Sequence, residues 1–391
     1  MKKIILLFFF SLNAFSQGVN FQQLTVKEAF KAAKTANMPL FVEIYSPTCH
    51  VCQSFMPVFN ESSMGSFFNK NFVSIKVDVN SPEFREYFDK KRRYFIPSLP
   101  MMLFFDGDEN FLHHVQLGEG TPSSKVIALA AEALNPKTQS KNWASSFKNG
   151  NREMDFMIDY SMQCRFFKDT TINIQVGNEI FKKFDKSDIN GRISWLILEK
   201  LIMDVDNGFF QHWINNVTTA KKWSNGNEVM FLENIIMSSM FSSRGNKYSS
   251  QKINQLNGYL SNLGRSKREI NNSTTLSMTK ALLREGNTTR AANELNAIFQ
   301  ANNSGAGELT FWTGLFNDLA KDTSYKILAM SWLKKAAGLT KSAKEAAEIH
   351  YQSARLHAKS GDAKESKKAA ELALKNAKLA KLDLKKFESL L

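Results

Sequence analysis

The sequence predicts an α/β domain built on a central mixed sheet flanked by helices, followed by an all-α domain. Three observations carry this. Over residues 19–136 the pattern alternates between helical and strand periodicity in the order β–α–β–α–β–β–α, preceded by one more helix. A Cys-x-x-Cys motif, Cys49-His50-Val51-Cys52, lies between the first of these strands and the helix after it. Beyond residue 137 the spacing is helical almost throughout. At 391 residues the chain is long enough for two domains, each burying its own core.

TVKEAFKAAKTANMPL (25–40) places Ala29, Phe30, Ala33 and Ala36 on one helical face, and Pro39 ends it. LFVEIYS (40–46) reads as a central strand with one unexpected charge, Glu43. After the cysteines, QSFMPVFNES is a helix with its own proline, and a second helical stretch ends at Phe68. NFVSIKVDVN (71–80) is a strand. SPEFREYFDKKRRYF (81–95) is a helix with Ser81 as cap and Pro82 at its first position. FIPSLPMMLFFDGDENFLHHV then gives a proline pair, an apolar strand, an Asp106-Gly107 turn and a returning strand. SSKVIALAAEAL closes the segment as an amphipathic helix. Pro136–Asn142 reads as a short linker.

Residues 1–16, MKKIILLFFFSLNAFS, combine two lysines, an apolar run and small residues, the pattern of a cleavable signal peptide. The expected location is the periplasm or the exterior, with no lipid anchor, since no cysteine lies near the cleavage point. An oxidising compartment suits disulfides, but three cysteines are too few for a stapled secreted fold. Two of the three sit together, which points to chemistry. Zinc uses paired cysteines too, but no second pair or nearby histidine set completes four ligands. The third, Cys164, reads as a buried inert thiol, with a third redox partner for Cys49 as the alternative. The formal net charge of +14 is dispersed along helical faces. Residues 341–391 hold twelve Lys/Arg against seven Asp/Glu, without the basic-aromatic stripe that stacks bases, so no nucleic-acid partner is expected.

A cysteine at a helix N-terminus faces unpaired backbone N–H groups and the positive end of the helix dipole, and both favour the thiolate. Cys49 is therefore the expected nucleophile. Cys52, one turn on and deeper, would resolve the mixed disulfide, with Glu43 as the acceptor of its proton. His50 would tune the couple, because a cation beside Cys49 stabilises the reduced form. No metal or organic cofactor is needed. The competing readings are an edge-of-strand Glu43 and a solvated His50 without effect.

PLFVEIY (39–45), CHVC (49–52) and FVSIKVD (72–78) resemble, in order and spacing, the secreted branch of the thioredoxin family. The resemblance covers most of 19–136 and implies a thiol–disulfide oxidoreductase that acts on protein thiols and disulfides in redox homeostasis. It implies that Glu43 stands where these proteins carry a buried acid, usually Asp, and Lys76 where its partner lysine lies. It further implies a cis-proline opposite the cysteines; Pro100 fits, with Pro97 as runner-up. Three features depart from the family. Thr48 replaces the tryptophan common before the first cysteine, Met101 stands where threonine is common, and His50-Val51 matches no familiar intervening pair. A reductase role would need a membrane electron donor.

Beyond about 272 a period emerges. Ala291, Leu295 and Ile298, then Ala329, Leu333 and Ala336, then Ser366, Ala370 and Ala373 share their offsets at intervals of 38 and 37 residues. These are close to the ~34 residues of a tetratricopeptide helix pair, and resemble a degenerate array that would hold a peptide or protein ligand. ISWLILEKLIMDV (193–205) and EVMFLENIIMSSMF (228–241) read as core helices. The alternative is a non-catalytic helical-repeat binding protein whose C-x-x-C is a structural disulfide.

Overall fold

The computed structural model describes residues 18–391, so the expected signal peptide lies outside the described residues. The described chain forms a first compact unit ending at Asn225 and a second, Gly226–Leu391.

The first unit opens with α1 (Val26–Ala36). Thr25 caps it in a reciprocal capping box with Glu28, and Asn37 closes it in the left-handed conformation. Then follow β1 (Leu40–Tyr45), α2 (His50–Ser54), α3 (Met56–Phe59), α4 (Ser62–Asn71), β2 (Val73–Asp78) and α5 (Pro82–Phe84), which runs into a π-helical stretch, Arg85–Lys91. β3 (Met101–Phe105), β4 (Phe111–Gln116) and α6 (Ser123–Glu132) complete the α/β part. The sheet runs β2-β1-β3-β4, with β1–β2 parallel and both other pairs antiparallel. The expected mixed sheet and element order are present.

β1 and β3 are central, so both their faces are buried and their sequences are apolar without alternation. Leu40, Val42 and Ile44 pack with Phe30 and Ala33 of α1. Phe41, Met102 and Phe104 pack on the other face with Phe55, Phe59, Phe68 and Val126. Glu43 alternates onto this second face, the one that the cysteine-bearing helix covers.

Local details depart from the sequence expectation for identifiable reasons. The helix expected after the cysteines starts already at His50 and breaks at Phe55, because Pro57 cannot continue the α2 ladder and falls in the first turn of α3 instead. The helix from Pro82 ends at Lys91, and Arg93 turns left-handed at φ 60°. The Asp106-Gly107 turn is present, inside a longer connection over 106–110. The Asp106 carboxylate accepts from the N–H groups of Asp108 and Asn110, spanning a longer loop with a bulge at Phe104/Phe105. Residues 137–142 do not form a free linker: Gln139 and Ser140 are buried, and the Ser140 N–H donates to His113 Nδ1 at 3.0 Å.

That docking continues the unit past residue 136, through α7 (Trp143–Lys148), α8 (Met154–Phe166), α9 (Thr170–Lys183), α10 (Arg192–Leu201), α11 (Gly208–Ile214) and α12 (Val217–Ser224). Phe166 of α8 joins the sheet core, and its carbonyl accepts from the Phe95 N–H. The compact division therefore falls after Asn225 rather than after the sheet domain.

β4 carries a buried histidine pair beneath this junction. His113 and His114 lie at 2% and 4% exposure, with Trp143 and Phe166 against the His114 ring. Burial pushes His113 down to about 4 and His114 down to about 3. An unfolded histidine titrates near 6.5, so below that pH the unfolded chain binds protons that the folded chain refuses. Stability is fully present above about pH 6.5 and falls as the pH drops, with a limiting slope of ~2.7 kcal/mol per unit for two rings. Urea unfolding at several pH values should show this loss, and His114→Phe should halve the slope between about pH 6.5 and 5. A slope unchanged by that substitution would refute the assignment.

The second unit is helical: α13 (Glu228–Phe241), α14 (Ser250–Asn262), α15 (Lys267–Arg284), α16 (Thr288–Ala301), α17 (Ala306–Leu319), α18 (Lys326–Leu339), α19 (Ala343–Lys359), α20 (Ala363–Leu379) and α21 (Lys385–Glu388). The three sets of repeated offsets fall on α16, α18 and α20, and all but Ile298 of these residues are buried. Ala354 of α19 packs against Ala369 and Ala370 of α20, where small side chains let the helices close up. Among the described residues no helix is long and apolar enough to cross a membrane.

Candidate functional site

β1 ends at Tyr45, and the chain turns through Ser46, Pro47 and Thr48 into α2. The Ser46 hydroxyl lies 3.1 Å from that of Thr48, and the Ser46 carbonyl accepts from the Cys49 N–H at 3.1 Å. These bonds hold Cys49 at the N-cap of α2 with extended backbone, φ −81° and ψ 113°. Its sulfur accepts the Cys52 N–H at 3.2 Å, so a capping donor is aimed at the reactive atom. Both cysteines are free thiols; Cys49 is partly exposed and Cys52 buried.

The two sulfurs therefore differ by environment. Burial, then the hydrogen bond with Cys49, pushes the Cys52 thiol up to about 12, while the Ser46 backbone N–H works in the opposite direction. A Cys52 thiolate therefore forms readily only where a base takes its proton.

Glu43 is 1% exposed, and burial raises its carboxyl above the usual range while Lys76 draws it back down. Lys76 Nζ stands 2.9 Å from Glu43 Oε2 and is its ion-pair partner. The ammonium also lies over the rings of Phe21 and Phe59, at 4.3 and 5.0 Å, which fixes it at the sheet edge. Glu43 and Lys76 are direct partners in the β1–β2 register, and the Glu43 charge is felt at Cys52. The structure thus places Glu43 inside, not at a strand edge.

The Leu99–Pro100 peptide bond is cis, which selects Pro100 over Pro97. The Leu99 carbonyl oxygen lies 3.8 Å from the Cys49 sulfur, the thiol donating. Val51 is half-buried and packs on the Phe41 face. His50 is largely exposed, with Nδ1 3.6 Å from Glu119 Oε1. Cys49, Cys52, Glu43, Lys76, Pro100, His50 and Val51 therefore share one end of the sheet. Two neighbouring groups escape a reading of the sequence: the Leu99 carbonyl, a backbone group, and Glu119, seventy positions downstream of Cys49 in a glycine turn. Cys164 is buried at 3% exposure in α8, and burial raises its thiol further still. Among the described residues no group of three or more His, Cys, Asp or Glu is placed to hold a metal ion.

A C-x-x-C opening a helix behind a central strand, a buried acid beneath it and a cis-proline opposite define a thioredoxin-like domain. In agreement, residues 10–113 match the family model described as Thioredox_DsbH, protein of unknown function, DUF255. The chain is also similar to three solved structures. One, from Bacteroides thetaiotaomicron, is described as a proposed disulphide-isomerase; it shares 24% identity over 30% of this chain and 95% of its own, at a TM-score of 0.27. The second is described as DsbH oxidoreductase, with 18% identity over 30% and 86% of the two chains and a TM-score of 0.26. The third, a disulphide isomerase from Xylella fastidiosa Temecula1, shares 16% identity over 30% and 98%, also at 0.26. No curated protein matches the chain.

Proposed function

We propose that the chain is a thiol–disulfide oxidoreductase that acts on protein substrates outside the cytoplasm. The observation that supports it is the asymmetry of the pair: a partly exposed Cys49 sulfur fed by a backbone N–H, one turn ahead of a buried Cys52. The Cys49 thiolate attacks a substrate disulfide; one S–S bond forms, the substrate's breaks, and its second sulfur leaves as a thiolate. Cys52 gives its proton to Glu43 and attacks the Cys49 sulfur, closing the Cys49–Cys52 disulfide and releasing the substrate's first sulfur. Two electrons pass from enzyme to substrate, and the reverse sequence oxidises a dithiol. The Leu99–Pro100 backbone, beside Cys49, is the proposed rail for an extended substrate.

The finer parts of the proposal rest on the sequence. A signal peptide at 1–16 would deliver the protein to the periplasm or the exterior. The paired helices α15–α20, as tetratricopeptide-like repeats from about 272, would dock a peptide or protein partner, and a membrane donor would supply electrons for reduction. Redox titration of the purified protein tests the activity: Cys49 and Cys52 must interconvert reversibly as one two-electron couple.

A further inference from the structure

We propose that Glu119 is a positioning residue of this redox site, a counter-ion that cancels the charge of His50 and so keeps the couple more reducing than its C-H-V-C motif alone would set it. The inference rests on the oxidoreductase reading and adds to it a residue outside the motif.

The placement of Glu119 is built into the fold. β4 ends at Gln116, Leu117 is buried, and Gly118-Glu119-Gly120-Thr121 turns back toward α6. Gly120 sits at φ +79°, a conformation that any other residue would strain. The Gly118 carbonyl accepts twice from Thr121, from its N–H at 3.2 Å and its hydroxyl at 2.7 Å, which closes the turn with Glu119 at its apex. On the far side, the Ser123 hydroxyl donates to Glu61 at 2.5 Å and ties the start of α6 to α4. The apex carboxylate thereby meets His50, the residue bonded to Cys49, at 3.6 Å. The first turn of α2 contains no acid of its own, and among the described residues Glu119 is the acid within ion-pair reach of His50.

The consequence follows from which state carries the thiolate. In E(SH)2 + GSSG ⇌ E(S–S) + 2 GSH, the enzyme loses two protons and two electrons, and only the reduced enzyme can hold a Cys49 thiolate. A cation beside it stabilises the reduced side and makes the couple more oxidising. A carboxylate paired with that cation removes the bias. The pair adds little to the stability of the fold, since the side chains of His50 and Glu119 are 81% and 59% exposed and water screens them. The same screening limits the effect to a few-fold.

The test is the equilibrium constant with glutathione at about pH 5.5 for wild type, Glu119→Gln, His50→Gln and the double variant. Glu119→Gln should reduce the constant about threefold, which is ~14 mV toward oxidising at 29.6 mV per tenfold. In the His50→Gln background the same change should move it less than about 1.5-fold. Equal shifts in both backgrounds, or none in either, would overturn the inference. A wild-type pair that fails to equilibrate with glutathione would instead overturn the oxidoreductase reading, so the two failures are distinct.

Discussion

Cys49→Ser abolishes disulfide exchange, with an expected loss of about a thousandfold or more, because the hydroxyl is not a nucleophile toward sulfur at neutral pH. Cys52→Ser gives a different defect. The first attack survives, since Cys49 keeps its exposure and its N–H donor from residue 52, but the reaction stops at the mixed disulfide. Mass spectrometry after exposure to glutathione disulfide should find the adduct on Cys49 in the Cys52→Ser protein and none in Cys49→Ser. Neither change opens a large cavity, so both proteins should stay folded. If Cys49→Ser kept full exchange activity, the nucleophile assignment would be wrong. If neither cysteine mattered while the helical unit still bound a partner, the non-catalytic reading would stand.

Glu43→Gln should slow the resolving step by about a hundredfold at pH 7, the low end of what a positioned base supplies. The reason is the Cys52 thiol at about 12: unaided, roughly one molecule in 10⁵ would hold the thiolate at neutral pH. In the wild type the step accelerates as the Glu43 carboxyl, raised by burial, loses its proton. In the variant only bulk base remains, so the rate should climb about tenfold per pH unit through the alkaline range. The stability effect has the opposite sign. A carboxyl whose pKa is raised on folding favours the fold while protonated, and that contribution is lost as the pH rises through its folded value. Once ionised, the buried carboxylate is therefore a cost that Lys76 only partly offsets. Glu43→Gln should accordingly be at least as stable as wild type at pH 7, with the advantage shrinking in acid. Stopped-flow exchange and denaturant unfolding read the two effects separately. A variant that lost stability while keeping its pH–rate profile would make Glu43 a structural residue only.

The parts of this site legible in the sequence were those set by local chemistry. LFVEIY announces a central strand because both of its faces must be apolar, and its single acid stands out for the same reason. The cysteine spacing carries its own register on a helix, and Ser81-Pro82 marks a helix start by capping chemistry that any reader can apply. What escaped was non-local. Nothing in PKTQSKN reveals that Ser140 reaches the imidazole of His113, because a polar linker and a buried polar contact share one composition. The break at Phe55 depends on where the α2 ladder begins, which the cysteines fix and the proline alone does not. Glu119 reaches His50 through the closure of a turn that sheet pairing places, and no spacing rule connects the two. The helices of 143–225 carry so many apolar residues that periodicity cannot assign their faces, as with Trp195 and Trp213, whose rings pack 5.4 Å apart.

The most direct measurement is a redox titration of the purified protein in glutathione buffers, with free thiols counted by alkylation and mass. Fluorescence is the poorer probe, since all six tryptophans lie at position 143 or beyond. The account predicts one reversible two-electron transition of Cys49 and Cys52 with a midpoint between about −270 and −120 mV, the range of working thiol–disulfide enzymes. A midpoint near the lower end would mark a reductase, and one near the upper end an oxidase or isomerase. A pair that stays oxidised far below about −300 mV, as structural disulfides do, would contradict catalysis and leave the helical unit to account for function.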